Sequence, residues 1–429
     1  MHVAPNIFVV GLLIFVAHAF TGIFSRTRVP DVLLLTIIGI LFGPVFHLAK
    51  QENFGAIGPV FATITLVILL FVAGLTLDLD VLRGAIKATL ALTITNFALT
   101  MAAVGAVAHF LTGMSFPLTF MLGAIIGSTS PAVILPLTKR LSMEQSSKTI
   151  LFLESAVSDV LSIVIAIGFM DSFRIGKVNI GLLFGQTIAT IILPGFAGAL
   201  GAFIWSALLR RVRGLENSMF TTPAFVFVLF GIVEMLGFSG YVAAVVFGAV
   251  LGNMESFYRL SWLQRLLPPE PITLNETERV FLAEVVFLLK TFFFVYVGVS
   301  MRFTDVRLVL IGLALTATIF LVRIPAAWIG LERTTPTRDA ALISIMSPKG
   351  LAAVVLASIP REQNLPDGEM LRDVTYSVVF LSIVFTSVLS FLVERTALVN
   401  LYSLPFRNFG RTAVGASASG GVIEKSPTL

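Results

Sequence analysis

Apolar stretches long enough to cross a lipid bilayer follow one another along almost the whole chain, and this limits what the chain can fold into. Of its 429 residues, 57% are hydrophobic and 12% are charged, whereas an ordinary soluble domain is about 25% charged. The 34 glycines and 19 prolines suit packed, locally kinked membrane helices. We therefore predict an all-α polytopic membrane protein.

A helix needs about 20 apolar residues to cross the hydrocarbon core, and this length predicts about 13 transmembrane helices. The candidate segments are approximately 6–24, 30–47, 57–77, 85–111, 116–138, 148–170, 180–209, 219–236, 239–252, 280–300, 305–330, 338–360 and 371–393. The weakest prediction is 239–252, which is short and contains glycine. If that segment did not span, every later segment would reverse its orientation.

Two of these segments, the fifth and the twelfth, are interrupted by helix-breaking residues. The first break is Gly-Ser-Thr-Ser-Pro-Ala at 127–132, and the second is Ile-Met-Ser-Pro-Lys-Gly at 345–350. Each segment should unwind partway across, which lipid tolerates only where the freed backbone groups are buried in protein or line a wet cavity. The two segments enter from opposite faces, as an inverted repeat requires. Paired broken helices of this kind indicate a transporter.

The chain divides into a transmembrane domain, 1–400, and a tail, 401–429, predicted to be disordered and cytoplasmic. Within the domain we predict a first repeat at about 30–210, a linker at about 254–278 and a second repeat at about 280–395. Lys and Arg are concentrated in alternate loops, which predicts that the N-terminus lies outside and the C-terminus inside. We expect a multi-pass protein of a prokaryotic plasma membrane.

Ionisable groups deep in apolar segments are unfavourable by a few kcal/mol, so each needs a reason to be there. Four stand out: Glu154, Asp159, Arg323 and Lys349. A carboxylate in a low-dielectric environment without a permanent partner binds a proton readily and can exchange it for a cation, and we assign this role to Asp159. Glu154 is the better candidate for a permanent ion pair with Arg323, whose guanidinium is always protonated. A purely structural ion pair is thus the favoured interpretation of Glu154, and it is the alternative for Asp159.

The helix ends at each break carry partial charges that attract ions or need compensation. Lys349 could neutralise carbonyl groups at the second break, or instead extend its ammonium toward the interface. Hydroxyl oxygens for an ion are available from four side chains: Ser128, Thr129, Ser130 and Ser347. The alternative for these hydroxyls is bonding back to their own helices.

Several of these residues resemble motifs of the monovalent cation:proton antiporter superfamily, which includes the sodium/proton exchangers. Residues 154–159, Glu-Ser-Ala-Val-Ser-Asp, resemble the exchanger motif Glu-Ser-x-x-Asn-Asp, with Ser158 in the Asn place. Residues 129–131 resemble Thr-Asp-Pro, with Ser130 in the Asp place. Residues 41–44 and 71–78 resemble the recurring Gly-Pro and Phe-x-x-Gly-Leu segments. The likeness covers roughly residues 5–395.

The resemblance implies a sodium/proton antiporter-like fold with two inverted repeats and two unwound helices that cross. It also implies ion and proton binding by Asp159, with Ser158, Thr129 and Ser130 around it, and a structural pair of Glu154 with Arg323. Lys349 would be the basic residue of the second unwound helix. A mobile core domain, elevator-type alternating access and a homodimer follow from the same resemblance.

The predicted function is a secondary antiporter that exchanges Na⁺, or Li⁺ or K⁺, for H⁺ and so serves pH homeostasis. One exchangeable carboxylate favours an electroneutral exchange. The alternatives are a cation channel or uniporter, an ion-coupled solute symporter and, least favoured, an intramembrane hydrolase that uses Ser128 or Ser130 with Lys349. We expect no enzymatic activity, no cofactor beyond the transported ions, and no nucleic acid partner.

Overall fold

The computed structural model describes residues 8, 11–20, 22, 31–49, 57–77, 79–175, 180–214, 218–258, 273–301, 305–396 and 398–410, and within these ranges all regular structure is helical. The helices are α1 (Gly11–Phe20), α2 (Asp31–Ile40), α3 (Ile57–Leu75), α4 (Leu79–Thr112), α5 (Phe116–Ile125), α6 (Pro131–Arg140), α7 (Gln145–Ile175), α8 (Ile180–Val212), α9 (Thr221–Met235), α10 (Gly240–Gly252), α11 (Met254–Tyr258), α12 (Glu276–Ser300), α13 (Val306–Gly330), α14 (Thr337–Ile345), α15 (Leu351–Glu362), α16 (Gly368–Arg395) and α17 (Leu398–Ser403). A π-helical turn, Leu41–Val45, extends α2 at Pro44.

Each predicted apolar segment overlaps at least one of these helices. Seven of the described helices are long and apolar enough to cross a membrane, and five shorter ones of 10–17 residues are also apolar. Both predicted breaks occur: the fifth segment is divided into α5 and α6, and the twelfth into α14 and α15. An all-helical membrane protein is therefore confirmed, whereas the exact number of spans and the inverted repeat stay predictions.

Eight helices, α4–α7 and α13–α16, pack mainly against one another, and we call them the core group. Glycines allow close approach inside it. A Cβ on Gly123 of α5 would lie 2.5 Å from a carbonyl oxygen of α4, and one on Gly330 of α13 would lie 2.5 Å from an α4 Cα atom. On its other side α13 meets α16, where a Cβ on Gly312 would lie 2.6 Å from Ser377. No larger residue fits these places without moving a helix backbone.

The other large helices, α2, α3, α8–α10 and α12, form a second set that we call the flank group. Its contacts are equally tight. A Cβ on Gly74 of α3 or on Gly198 of α8 would lie within 2.4 Å of an α10 carbonyl oxygen. Gly39 of α2 and Gly298 of α12 face each other, with 2.8 Å between the Cβ position of one and the Cα of the other.

The two groups meet less closely than either packs within itself. Contacts between them run through α7 with α8 and α10, through α15 with α3, and through α16 with α2. Where the surroundings of a glycine are described, each close approach to another helix stays within one group. Contacts of this kind therefore hold each group together internally.

The chain continues past the last long helix into ordered structure. Helix α17 packs against α14 and α16, and a 3₁₀ turn, Leu404–Phe406, follows it. Phe406 and Phe409 are buried, and the guanidinium of Arg333 lies 4.2 Å from the Trp328 ring centroid and 4.5 Å from that of Phe409. The prediction of disorder from residue 401 is therefore wrong for 401–410, because these aromatic rings pack on the loop before α14.

The rest of the predicted tail, 411–429, lies outside the described residues. The predicted linker, 254–278, is described only at its ends. Its first residues form α11, and a capping box joins Asn275 to Glu278 at the start of α12. Residues 259–272 lie outside the described part, so the division into two repeats and a linker stays a prediction.

Candidate ion-binding site at the helix breaks

The two broken helices touch each other at their unwound segments. The Ser130 backbone N–H donates to the Pro348 carbonyl at 2.8 Å, so the two segments share a backbone hydrogen bond. The approach is close because Gly350 has no side chain: a Cβ there would lie 2.2 Å from Ser130 Oγ. The fold thus brings together four helix ends, two of them rich in free N–H groups and two in free carbonyls.

Side chains from neighbouring helices donate to carbonyls at both breaks. Ser162 Oγ of α7 lies 2.8 Å from the Ala124 carbonyl and 3.0 Å from that of Ile125, at the end of α5. Arg323 Nε of α13 donates to the Ile343 carbonyl, near the end of α14, at 3.2 Å. The Ala124 and Ile343 carbonyls also accept backbone bonds, from the Gly127 and Met346 N–H groups at 3.2 Å each. The side chains therefore add a second donor at the turns that end α5 and α14.

Glu154 and Arg323 form a bidentate ion pair in the protein interior. Arg323 Nη1 donates to Glu154 Oε1 at 2.8 Å and Nη2 donates to Oε2 at 3.0 Å, and both side chains are 0% exposed. Two further donors reach Oε1, Asn96 Nδ2 at 3.3 Å and Thr129 Oγ1 at 3.4 Å. A charge pair so completely surrounded by protein leaves little of either charge available to a passing ion.

Lys349 is also fully buried, and its ammonium group contacts the first break. Nζ donates to the Ser128 carbonyl at 2.8 Å and to Ser347 Oγ at 3.2 Å, while the Lys349 backbone N–H donates to Ser382 Oγ at 2.9 Å. The alternative of an ammonium extended to the interface is excluded by this geometry. Lys349 carries a positive charge from the second break onto a carbonyl of the first.

Asp159 differs from Glu154 in its surroundings. As a residue it is only partly buried, whereas Glu154 is fully buried, and it lies about one and a half turns beyond Glu154 on α7. The Ser128 side chain is its hydrogen-bonding neighbour, and Lys349 and Glu154 are the nearby charges. Asp159 forms no ion pair among the described salt bridges: Arg323 is bound to Glu154, and the Lys349 ammonium is bound to the Ser128 carbonyl and Ser347. Of the two acids in this region, Asp159 is therefore the one whose carboxylate is available to bind a mobile ion.

The three predicted hydroxyl ligands have different neighbours. Ser158 Oγ accepts from the Thr129 N–H at 3.1 Å and donates to the Ser155 carbonyl at 3.0 Å. Thr129 directs its hydroxyl at Glu154, and Ser130 lies against Gly350. In the described hydrogen bonds none of the three bonds to Asp159. The structure therefore brings these residues into one cluster without assigning them to a common ion.

Sequence reasoning missed several residues of this region. Asn96, Ser162 and Ser382 each bond to the site from a different helix. An asparagine inside an apolar span was a signal for the first, whereas single serines in membrane helices carry none. A second buried ion pair, in which Arg372 Nη2 lies 2.6 Å from Asp373 Oδ1, was also missed, because the two residues are adjacent near a helix start and read as a polar end.

Two broken helices that meet beside a carboxylate, inside a bundle of apolar helices, are typical of secondary transporters. A family model described as "Sodium/hydrogen exchanger, transmembrane" matches residues 11–395, and the chain belongs to this family. The family resemblance found in the sequence is confirmed. Membership also agrees with a transporter rather than an enzyme.

Relatives agree with this assignment. The chain is 23% identical over 365 residues to Na(+)/H(+) antiporter 1 of Methanocaldococcus jannaschii, covering 81% of each chain. It is 25% identical over 370 residues to the Na(+)/H(+)-K(+) antiporter GerN of Bacillus cereus, covering 85% of this chain and 89% of that one. The solved structure of the sodium proton antiporter MjNhaP1 from M. jannaschii at pH 8 is similar with a TM-score of 0.70 and 19% identity, over 94% of this chain and 99% of that one.

Proposed function

We propose that this protein is a secondary active antiporter that exchanges a monovalent cation for H⁺ across the membrane. One observation carries the proposal: Asp159 lies partly exposed beside the meeting point of the two breaks, and no described basic group forms an ion pair with it. A carboxylate in that position can hold either a proton or a cation, and each guest excludes the other. Competition of this kind couples the two fluxes.

A monovalent guest suits the groups around Asp159. The described residues contain no cluster of three or more His, Cys, Asp or Glu side chains, whereas divalent cations are usually held by several carboxylates. Ser128, Thr129, Ser130 and Ser158 supply hydroxyl and carbonyl oxygens close by. We place Na⁺ first, with Li⁺ or K⁺ as alternatives, since the relatives above are named for Na⁺ and, in one case, also K⁺.

An exchange of one cation for one H⁺ is our proposal for the stoichiometry. Glu154 and Arg323 neutralise each other, and Lys349 is close to Asp159, so one carboxylate is left to change its guest. Such an exchange moves no net charge. A membrane-potential-sensitive dye in proteoliposomes should therefore stay silent during transport, and a dye response that follows the cation gradient would contradict the stoichiometry.

Alternating access is proposed to occur by movement of the core group against the flank group in an elevator-type motion. The support is the packing: the close glycine approaches described above hold helices together within each group. The flank group would then supply the contact surface of a homodimer. We also propose that the N-terminus faces outward and the C-terminus the cytoplasm of a prokaryotic cell, on the evidence of loop charge.

A proton-flux assay in everted vesicles tests the proposal. Addition of Na⁺, Li⁺ or K⁺ to vesicles acidified by respiration should reverse fluorescence quenching for the wild type, and Asp159→Asn should abolish this response. Asp305→Asn is the matched control, since Asp305 is an exposed helix cap whose acceptor role asparagine retains. Reversal that persists in Asp159→Asn would remove Asp159 from the mechanism. A channel would pass the cation without countermovement of protons.

A further inference from the structure

One face of α4 carries a row of polar side chains in the protein interior. Thr89, Thr93, Asn96 and Thr100 follow one another at intervals of four, three and four residues, so they share a helix face, and all four are 0% exposed. Helix α4 packs along α13 and α7, which carry Arg323 and Glu154. The proposed antiport mechanism uses none of these four side chains.

The Asn96 amide has one end bound and the other unsatisfied. Its Nδ2 donates to Glu154 Oε1 at 3.3 Å, and its Oδ1 is buried without a hydrogen-bond partner in the described structure. Turning the amide over would set Oδ1 against a carboxylate oxygen, so the charge of Glu154 determines its orientation. A buried amide oxygen is therefore left in need of a donor, an unfavourable arrangement for a protein to keep.

The Thr100 hydroxyl, one turn further along the same face, is a candidate to share a partner with the Asn96 oxygen. A threonine inside a helix can donate to the carbonyl four residues earlier, and Thr93, Thr316 and Thr375 do so at 2.7–2.8 Å. Thr100 does not: its Oγ1 is buried and unpartnered in the described structure. Thr100 therefore has a buried hydroxyl that needs a hydrogen-bond partner, as the Asn96 oxygen does.

We infer that a single water molecule bridges Asn96 Oδ1 and Thr100 Oγ1. Residues four apart on a helix have Cβ atoms about 5–6 Å apart, and helix side chains lean toward the N-terminus, so Thr100 leans over Asn96. Two hydrogen bonds of about 2.8 Å span such a gap. The water donates to the amide oxygen, which has no donor of its own, and satisfies the threonine hydroxyl.

Water fits this place better than the transported cation. The two ligands are neutral, and the nearest carboxylate is already neutralised by Arg323, so a cation would meet no uncompensated negative charge. With both ends of its amide bonded, Asn96 becomes a positioning residue that holds Glu154 Oε1 between Arg323 and Thr129. The water site is therefore part of the support of the buried ion pair and stands apart from the ion path at Asp159.

Threonine-to-valine substitution tests the inference on the purified full-length protein. Valine keeps the shape of threonine and removes the hydroxyl. At Thr100 this removes one of the two hydrogen bonds that hold the water, and the Asn96 oxygen then loses its donor. Thr100→Val should therefore lower the melting temperature by about 2–4 °C. Thr93→Val is the matched control, since Thr93 lies on the same buried face and its hydroxyl bonds only to the Thr89 carbonyl. That carbonyl remains part of the helix ladder, and we expect a change smaller than that at Thr100.

A smaller fall in melting temperature for Thr100→Val than for Thr93→Val would contradict the water site. An empty site makes the Thr100 hydroxyl an unsatisfied buried group, and its removal would then raise the melting temperature or leave it unchanged. A density map that resolves ordered water provides a second measurement. A peak within hydrogen-bonding distance of both Asn96 Oδ1 and Thr100 Oγ1 supports the site, and a well-resolved map with no peak there contradicts it.

Discussion

At the scale of single residues, the two acids of α7 have different surroundings, although only five positions of the same helix separate them. Glu154 is enclosed by an arginine, an asparagine and a threonine, and its charge is neutralised in place. Asp159 is only partly buried as a residue, and its carboxylate has a serine hydroxyl as its neighbour. The rotation of about 100° per residue turns the second acid away from Arg323 toward the breaks. One helix thus supplies a fixed charge and an exchangeable one.

The ion pair should behave as a unit in stability measurements. Removing one partner leaves an uncompensated buried charge, so Glu154→Gln or Arg323→Gln alone should destabilise the protein by about 3–5 kcal/mol. The double variant Glu154→Gln/Arg323→Gln leaves no lone charge and should recover most of that loss, measured as melting temperature in detergent. If the double variant were as unstable as the sum of the two single variants, the residues would not act as a pair.

Proton competition at Asp159 should appear in the cation dependence of transport. Lowering the pH fills the carboxylate with protons, so the apparent KM for the cation should rise by about tenfold per pH unit on the acid side of the titration. It should become independent of pH on the alkaline side, where Asp159 is ionised. Initial rates at several cation concentrations and pH values measure this. A maximal rate that falls at low pH with an unchanged KM would argue against one shared site.

At the scale of elements, the contact between the two breaks depends on the absence of one side chain. Gly350 faces Ser130 so closely that an added methyl group would lie 2.5 Å from Ser130 Cβ. The unwound segments can share the bond from Ser130 N–H to Pro348 O only at this separation.

Gly350→Ala should therefore push the two breaks apart and reduce both exchange and thermal stability. Ser130→Gly removes the atoms that the new methyl group would meet, so adding it to Gly350→Ala should restore part of the thermal stability. Exchange is measured in the everted-vesicle assay and the melting temperature in detergent. The explanation fails if Gly350→Ala transports normally, or if adding Ser130→Gly brings no recovery of the melting temperature.

The C-terminal segment 398–410 stabilises the beginning of the second broken helix. The Gly410 N–H donates to the Arg333 carbonyl at 2.9 Å, and Thr337 Oγ1 donates to the Phe409 carbonyl at 3.0 Å. Because α14 has only nine residues, a displacement at its start reaches the break.

Phe409→Ala should loosen this attachment, since it removes a buried ring that Arg333 contacts. We expect a loss of about 3–5 kcal/mol, the usual effect of emptying a phenylalanine site, together with faster proteolysis near residue 400. Phe110→Ala is the control, because Phe110 is 85% exposed in the structure. Equal melting temperatures for the two variants would mean that the segment contributes nothing to stability.

At the scale of the whole molecule, the helices divide into two tightly packed groups with a looser boundary. The chain has no cysteine, so engineered thiol pairs can test movement across that boundary without background. Tyr241 of the flank group and Glu362 of the core group lie near enough to interact electrostatically. The two side chains lie on opposite sides of the boundary.

A short thiol crosslinker between Tyr241→Cys and Glu362→Cys should stop cation-driven proton flux, because it ties the core group to the flank group. A pair within the flank group, Gly58→Cys with Tyr296→Cys, is the control; a Cβ at Gly58 would lie 3.0 Å from the Tyr296 hydroxyl. Crosslinking this control pair should leave flux intact. Full activity after complete crosslinking across the boundary would contradict movement between the groups.

Several features of the protein could be predicted from the sequence because their causes are local. Segment length and hydropathy decide which residues enter the membrane, and proline with glycine decides where a helix stops, so both breaks appear where they were predicted. A charged residue inside an apolar segment can be recognised from the sequence without knowing its partner. Four were found in this way: Glu154, Asp159, Arg323 and Lys349. Motif spacing supplied the family, which the match over 11–395 confirms.

The tertiary structure decided which groups face each other. Helices that are apolar all round carry little information about their rotation or depth, so nothing in the sequence placed Asn96 against Glu154, Ser162 on the end of α5 or Lys349 on the Ser128 carbonyl. The burial of Phe406 and Phe409 likewise depends on a surface that α14 supplies. Hydropathy acts on each segment separately, whereas hydrogen bonds and ion pairs between helices exist only after the segments have packed.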